Sequence, residues 1–174
     1  MTLISAPTGS NSPGVSVIRL IYADDIVKIG QANRFKTLVT PMVLKAGADI
    51  VTMWFGYDAE YNEDMTSTEA GQSWKYKLDW AVPKDDSTLA TLYDLLANKN
   101  LVAVYADGNG LCRIVGTKNY PCQLAMGFGT SPNEMGMSLS GTGVERALYM
   151  PANLMDASLL KAGAFSTDFT FGYA

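Results

Sequence analysis

Residues 83–117 read PKDDSTLATLYDLLANKNLVAVYADGNGLCRIVGT, an amphipathic helix that runs straight into a tight β-hairpin. Leu89, Leu92, Tyr93, Leu95 and Leu96 recur at helical spacing and line one side, leaving Thr91, Asp94 and Asn98 on the other. Asp85, Asp86, Ser87 and Thr88 offer oxygens to the unpaired N–H groups of a first turn, and Asn98, Lys99 and Asn100 supply a stop. The spacing therefore predicts a helix over about residues 86–99. A helix of that length is marginal alone in water and must lay its leucine stripe on something apolar. Beyond it, Leu101–Ala106 and Leu111–Thr117 flank Asp107-Gly108-Asn109-Gly110, whose residue types tolerate the positive φ of a tight hairpin turn. The helix reads as a lid on a sheet.

Outward from this stretch the signals are mostly β. Before the helix, Trp74, Tyr76, Leu78, Trp80 and Val82 alternate with Lys75, Lys77, Asp79 and Ala81, the period of a strand with one wet face. Val15–Tyr22 is a β-branched strand ending at Asp24–Asp25, and Ile26–Ile29 continues it or begins another. Leu38–Leu44 is broken by Pro41 and reads as an edge or bent strand. Ile50–Tyr57 is strongly apolar and is expected to pair with residues 73–82 in a long hairpin, with 58–71 (DAEYNEDMTSTEAG) as its extended acidic tip. After the hairpin come a strand over Cys122–Phe128, a loop over 127–133, and a last hairpin of Glu134–Ser140 and Val144–Met150. Asn153–Leu160 reads as a short helix and Ala164–Tyr173 as a terminal strand or arm. The expected fold is mainly β: an antiparallel sandwich or barrel of about eight to ten strands with one packed helix. Residues 1–14 read as a flexible arm, 15–150 as the domain and 151–174 as a C-terminal extension.

Composition bounds the function. The 174 residues, 48% apolar, suffice for one domain with a core that needs neither disulfide nor metal. A net charge of −4, with no cluster of Lys or Arg, disfavours a tight grip on phosphate backbones. No apolar run reaches the roughly 18 residues of a membrane span, and the first residues lack the pattern of an export signal. Cys112 and Cys122 are expected as buried thiols rather than a disulfide.

Catalytic signals are weak. Histidine is absent, which removes the commonest general base and metal ligand. Asp24–Asp25 reads as a strand-end turn, because neighbouring strand residues point to opposite faces. Asp58, Glu60, Glu63 and Asp64 match no calcium-loop spacing and lack the bend glycine, so a solvated loop is preferred. The Asp107–Gly110 run lacks a downstream glutamate, and neither Gly127-Phe128-Gly129 nor Gly141-Thr142-Gly143 opens a helix that would cradle phosphate. Cys112 has no histidine partner, and no serine elbow is present. No catalytic, metal or cofactor site is expected. A hydrolase using the clustered acids is the weakest reading. A carbohydrate-binding module using Trp74, Tyr76 and Trp80 is the alternative function, although the strict alternation of that stripe is what core packing needs.

The run from Trp74 to Met150 (WKYKLDWAVPKDDSTLATLYDLLANKNLVAVYADGNGLCRIVGTKNYPCQLAMGFGTSPNEMGMSLSGTGVERALYM) resembles small structural proteins of tailed bacteriophages, of the tail-tube or head–tail joining kind. The shared order is an alternating strand, a capped helix, a strand ending in Asp-Gly-Asn-Gly, a strand ending in Val-Gly, a proline-led strand, a Gly/Thr/Ser loop and a final hairpin. The glycine loop departs from that pattern in lacking an acidic residue, with Asn133 and Glu134 nearby. The resemblance implies a non-enzymatic virion component, assembled in the host bacterial cytoplasm, that forms rings with copies of itself and meets other tail or connector proteins. DNA would pass through without specific binding, and no membrane would be involved. Ring assembly needs surfaces that pair heterologously, and sheet edges and arms supply them. Because Met53, Trp54 and Phe55 are consecutive, both faces of that strand are apolar, and a neighbouring copy is expected to cover one. Met53, Trp54, Phe55, Tyr57, Tyr61, Met65, Phe165, Phe169 and Phe171 are the candidate subunit contacts.

Overall fold

The computed structural model describes the backbone of residues 14–55, 59–69, 71–83, 87–130, 133–151, 154 and 166–170. Its elements are β1 (Val15–Tyr22), β2 (Ile26–Lys28), β3 (Val43–Leu44), β4 (Ile50–Trp54), β5 (Ala59–Thr68), β6 (Gly71–Pro83), α1 (Ser87–Leu96), β7 (Leu101–Asp107), β8 (Cys112–Val115), β9 (Gln123–Thr130), β10 (Asn133–Gly143), β11 (Leu148–Met150) and β12 (Ser166–Thr170). Two sheets face each other: a six-stranded one in the order β11-β8-β7-β1-β4-β12 and a four-stranded one in the order β5-β6-β10-β9. All their ladders are antiparallel except β12 on β4. Neither sheet closes on itself, so of the two expected architectures the molecule is the sandwich.

Strands β1, β4, β7 and β8 of the six-stranded sheet place buried residues on both faces. Ile18, Leu20, Met53, Leu101, Ala103, Tyr105 and Val115 face the four-stranded sheet, meeting Leu78, Trp80, Val82, Met137 and Leu139. Val17, Ile21, Ile50, Val102, Val104 and Ile114 face the other way, onto Ala23, Ile26, Leu38, Met42 and Ala48 from the excursion between β1 and β4. This double burial explains why β1, β4 and β7 read as near-continuous apolar runs. Each fully buried Ile or Leu contributes roughly 1.5–3 kcal/mol.

The excursion begins with Asp24–Asp25 in a 3-10 turn and leads into the short β2–β3 ladder. Gly30 there abuts the Thr40 carbonyl, leaving no room for a β-carbon. Residues 36–38 run along β11 through a parallel bridge between Thr37 and Tyr149.

α1 closes the inter-sheet core through Leu92 and Leu96, with the Tyr22 hydroxyl donating to the Leu95 carbonyl at 3.1 Å. Asn98 takes a left-handed φ of 57° and ends the helix. Leu95, placed on the apolar stripe by its spacing, is instead 56% exposed. The expected caps at Asp85 and Asp86 lie outside the described residues. The turn after β7 forms as read, with Asp107 Oδ1 accepting from the N–H groups of Asn109 (2.9 Å) and Leu111 (2.8 Å). Its Gly110 has φ +79°.

Four features differ from expectation. β4 pairs with β1, and β6 with β5 and β10, so the hairpin of 50–57 with 73–82 does not exist. Residues 59–68 are a strand, not an acidic loop: Glu60, Asn62 and Asp64 share its solvent face, opposite Ala59 and Tyr61. The residues after Phe128 likewise extend β9 and β10, leaving a gap of two between strands. The last hairpin is also absent, because β10 belongs to the four-stranded sheet and β11 pairs with β8 across the sandwich. The C-terminal stretch contains a strand, as one of its two readings had it. Residues 1–13 and nearly all of the short helix expected at 153–160 lie outside the described residues.

Both cysteines are buried free thiols. Cys112 belongs to the outer core and Cys122 to the inter-sheet core. Cys122 exchanges two backbone hydrogen bonds with Leu101, tying the two sheets at one corner.

Candidate functional site

Two features stand out: the free edges of the four-stranded sheet, and a polar cleft at one end of the sandwich. Among the described residues no strand pairs with the outer side of β5 or of β9, ten and eight residues long. Each such edge presents a row of backbone donors and acceptors. Between the two edges, the solvent face of the sheet carries short or polar residues, including Ala81, Ala125, Gly127, Gly136 and Ser138.

The residues expected to contact a neighbouring copy fall into three groups. Met53 is 1% exposed and lies in the inter-sheet core, while Ile50 and Thr52 are buried on the opposite side of β4. Both faces of that strand are thus covered within the chain as far as Met53, so a neighbour is not needed to cover a whole face, and only Trp54 at its end stays open. Phe55 packs on Trp80 with ring centroids 6.2 Å apart, and Tyr61 packs on Tyr105 at 4.7 Å. Trp54 and Met65, by contrast, are 43% and 50% exposed. Phe169 lies on β12, opposite Met53 in the register. Tyr57, Phe165 and Phe171 are outside the described residues.

The aromatic stripe proposed for carbohydrate points inward. Tyr76 and Trp80 are buried in the core, so they offer no platform, and Trp74 alone reaches the cleft. The acids do not cluster either, since Glu63 occupies the opposite face from Glu60 and Asp64, and Asp58 is outside the described residues. Among the described residues no group of three or more metal-ligating side chains converges.

The cleft, of about 700 Å³, is framed by β5, the start of β6 and the end of β7, with Arg113 from β8 and Arg146 before β11 in its wall. At its centre Glu63, facing inward, receives Arg113 Nη1 at 3.1 Å and the Ala147 N–H at 2.6 Å. Arg113 Nη2 (3.0 Å) and Arg146 Nη2 (2.9 Å) both donate to the Tyr149 hydroxyl. The Tyr76 hydroxyl donates to the Glu145 carbonyl. Burial, reinforced by the Glu63 carboxylate, pushes the Tyr61 phenol far above its ordinary value and Tyr76 up to about 12. Burial likewise raises Tyr105, against a lowering by Arg113. All three remain protonated donors at neutral pH.

A sequence reading misses this cluster because Glu63, Arg113 and the neighbours Arg146 and Tyr149 come from three distant parts of the chain. The one local signal is Glu63 itself, an acid at an inward position of an alternating strand. No protein-family model, no curated protein and no solved structure matches the chain.

Proposed function

We propose that this chain is a non-enzymatic structural protein of a tailed-phage virion, of the tail-tube or head–tail joining kind, assembling with copies of itself into a ring around a DNA conduit. The observation that carries the reading is the pair of edges on the four-stranded sheet that no strand among the described residues covers. β5 of one copy laid against β9 of the next continues the sheet from subunit to subunit, a heterologous contact that closes when the rotation closes. Exposed Trp54 and Met65 supply apolar contacts outside either core. The net charge of −4 suits a conduit that DNA traverses without sticking. On this reading the partners are further copies and other tail or connector proteins, and the protein resides in the virion after assembly in the host cytoplasm.

Light scattering and negative-stain microscopy of the purified chain at rising concentration test the reading. Rings or tubes are expected. A strict monomer at the highest soluble concentration overturns it.

A further inference from the structure

The geometry points to a carboxylate-binding site in the cleft at the end of the sandwich, with Arg146 as the residue that receives the acid. The guanidinium is held in place: its carbon lies 5.3 Å from the Tyr149 ring centroid and 6.0 Å from that of Trp74, and its Nη2 donates to the Tyr149 hydroxyl. Among the described residues no carboxylate pairs with it. An arginine ordered by two rings loses little further freedom on binding, and its planar fork matches the two oxygens of a carboxylate.

The other charges in the cleft are already engaged or point away. Glu63 is held by Arg113 and the Ala147 N–H, Asp107 by its own turn, and Glu60 lies on the solvent face of β5. Arg146 is therefore the uncompensated charge. Three buried donors in the same walls lack an acceptor: the Tyr61 hydroxyl, Arg113 Nε and Arg146 Nε. Such a cluster is short of acceptor oxygen, which an entering acid supplies. The nearby Glu60, Glu63 and Asp107 repel a dianion, so a singly charged carboxylate is favoured over phosphate. A free organic acid and an acidic side chain of another copy present this same group, and the site does not depend on the ring reading.

The full chain is titrated with acetate, propionate and inorganic phosphate by calorimetry, following tryptophan fluorescence in parallel, as wild type, R146Q and R146K. Light scattering of each variant is recorded beside a thermal melt that confirms folding. If the acid is free, acetate or propionate saturates the wild type more tightly than phosphate. R146Q then weakens binding at least tenfold and R146K falls between. If the acid belongs to another copy, no free acid binds and R146Q dissociates an assembly that R146K retains. Equal binding and equal assembly by wild type, R146K and R146Q overturn the site, as does phosphate binding more tightly than both acids. A monomer that binds acetate through Arg146 removes the ring reading and leaves the site standing.

Discussion

At Glu63 the alternation of β5 is broken by a charge on the inward face. The ion pair with Arg113 has side-chain exposures of 8% and 17%, so its loss cannot be made good by water. Removing one partner leaves the other charged and stranded. E63Q or R113M alone should cost about 3–5 kcal/mol in urea unfolding, and the double variant should recover much of that loss. A second test at this scale uses pH. The Cys122 thiol is pushed from 9.0 to about 12 by burial, and the Tyr76 phenol from 10.0 to about 12. In the unfolded chain both ionise earlier, so above pH 9 the folded state binds more protons than the unfolded one. Stability should then be level below pH 9 and fall progressively towards pH 12, as thermal melts across that range would show. C122A should soften the first part of the fall. Nothing near Glu63 in sequence announces its partner, which is why its acid reads as one of a solvated group.

Helix α1 and the turn after β7 are the elements most legible from sequence, because their signals are local: a 3.6-residue stripe, and Asp-Gly-Asn-Gly between apolar runs. The stripe does not distinguish Leu95 from its neighbours. Only the direction from which the sheets approach decides that Leu92 and Leu96 are buried and Leu95 is not. L92A and L96A should each cost about 2–5 kcal/mol, and L95A no more than about 0.5, by chemical denaturation. Equal losses at all three would mean that the helix is not seated as described. Strand pairing is less legible. A doubly buried strand such as β4 carries no alternation to fix its partner, and a strand with one wet face, such as β5, is disguised when its outward residues are acids. The cleft is illegible for the same reason, since it is assembled from β5, β6, β7, β8 and the approach to β11.

For the whole molecule, the double burial of the central strands of the six-stranded sheet sets the order in which it opens. Amide exchange should be slowest in β1 and β7, which have cores on both faces and ladders on both sides, and much faster in β2, β3 and the outer side of β5. The proposed assembly belongs at this scale as well. W54E and M65E place charge on exposed apolar positions without touching either core, so each should leave the melting temperature within a few degrees and, on the proposed ring assembly, shift association to higher concentration.

The two cysteines sit on opposite sides of one continuous wall of backbone. They cannot find each other without tearing that wall open, so the folded chain should be indifferent to redox conditions. Electrophoretic mobility and melting profile ought to be the same in dithiothreitol as in air. A particle built from such subunits would keep its strength in either a reducing cell interior or an oxidising medium outside.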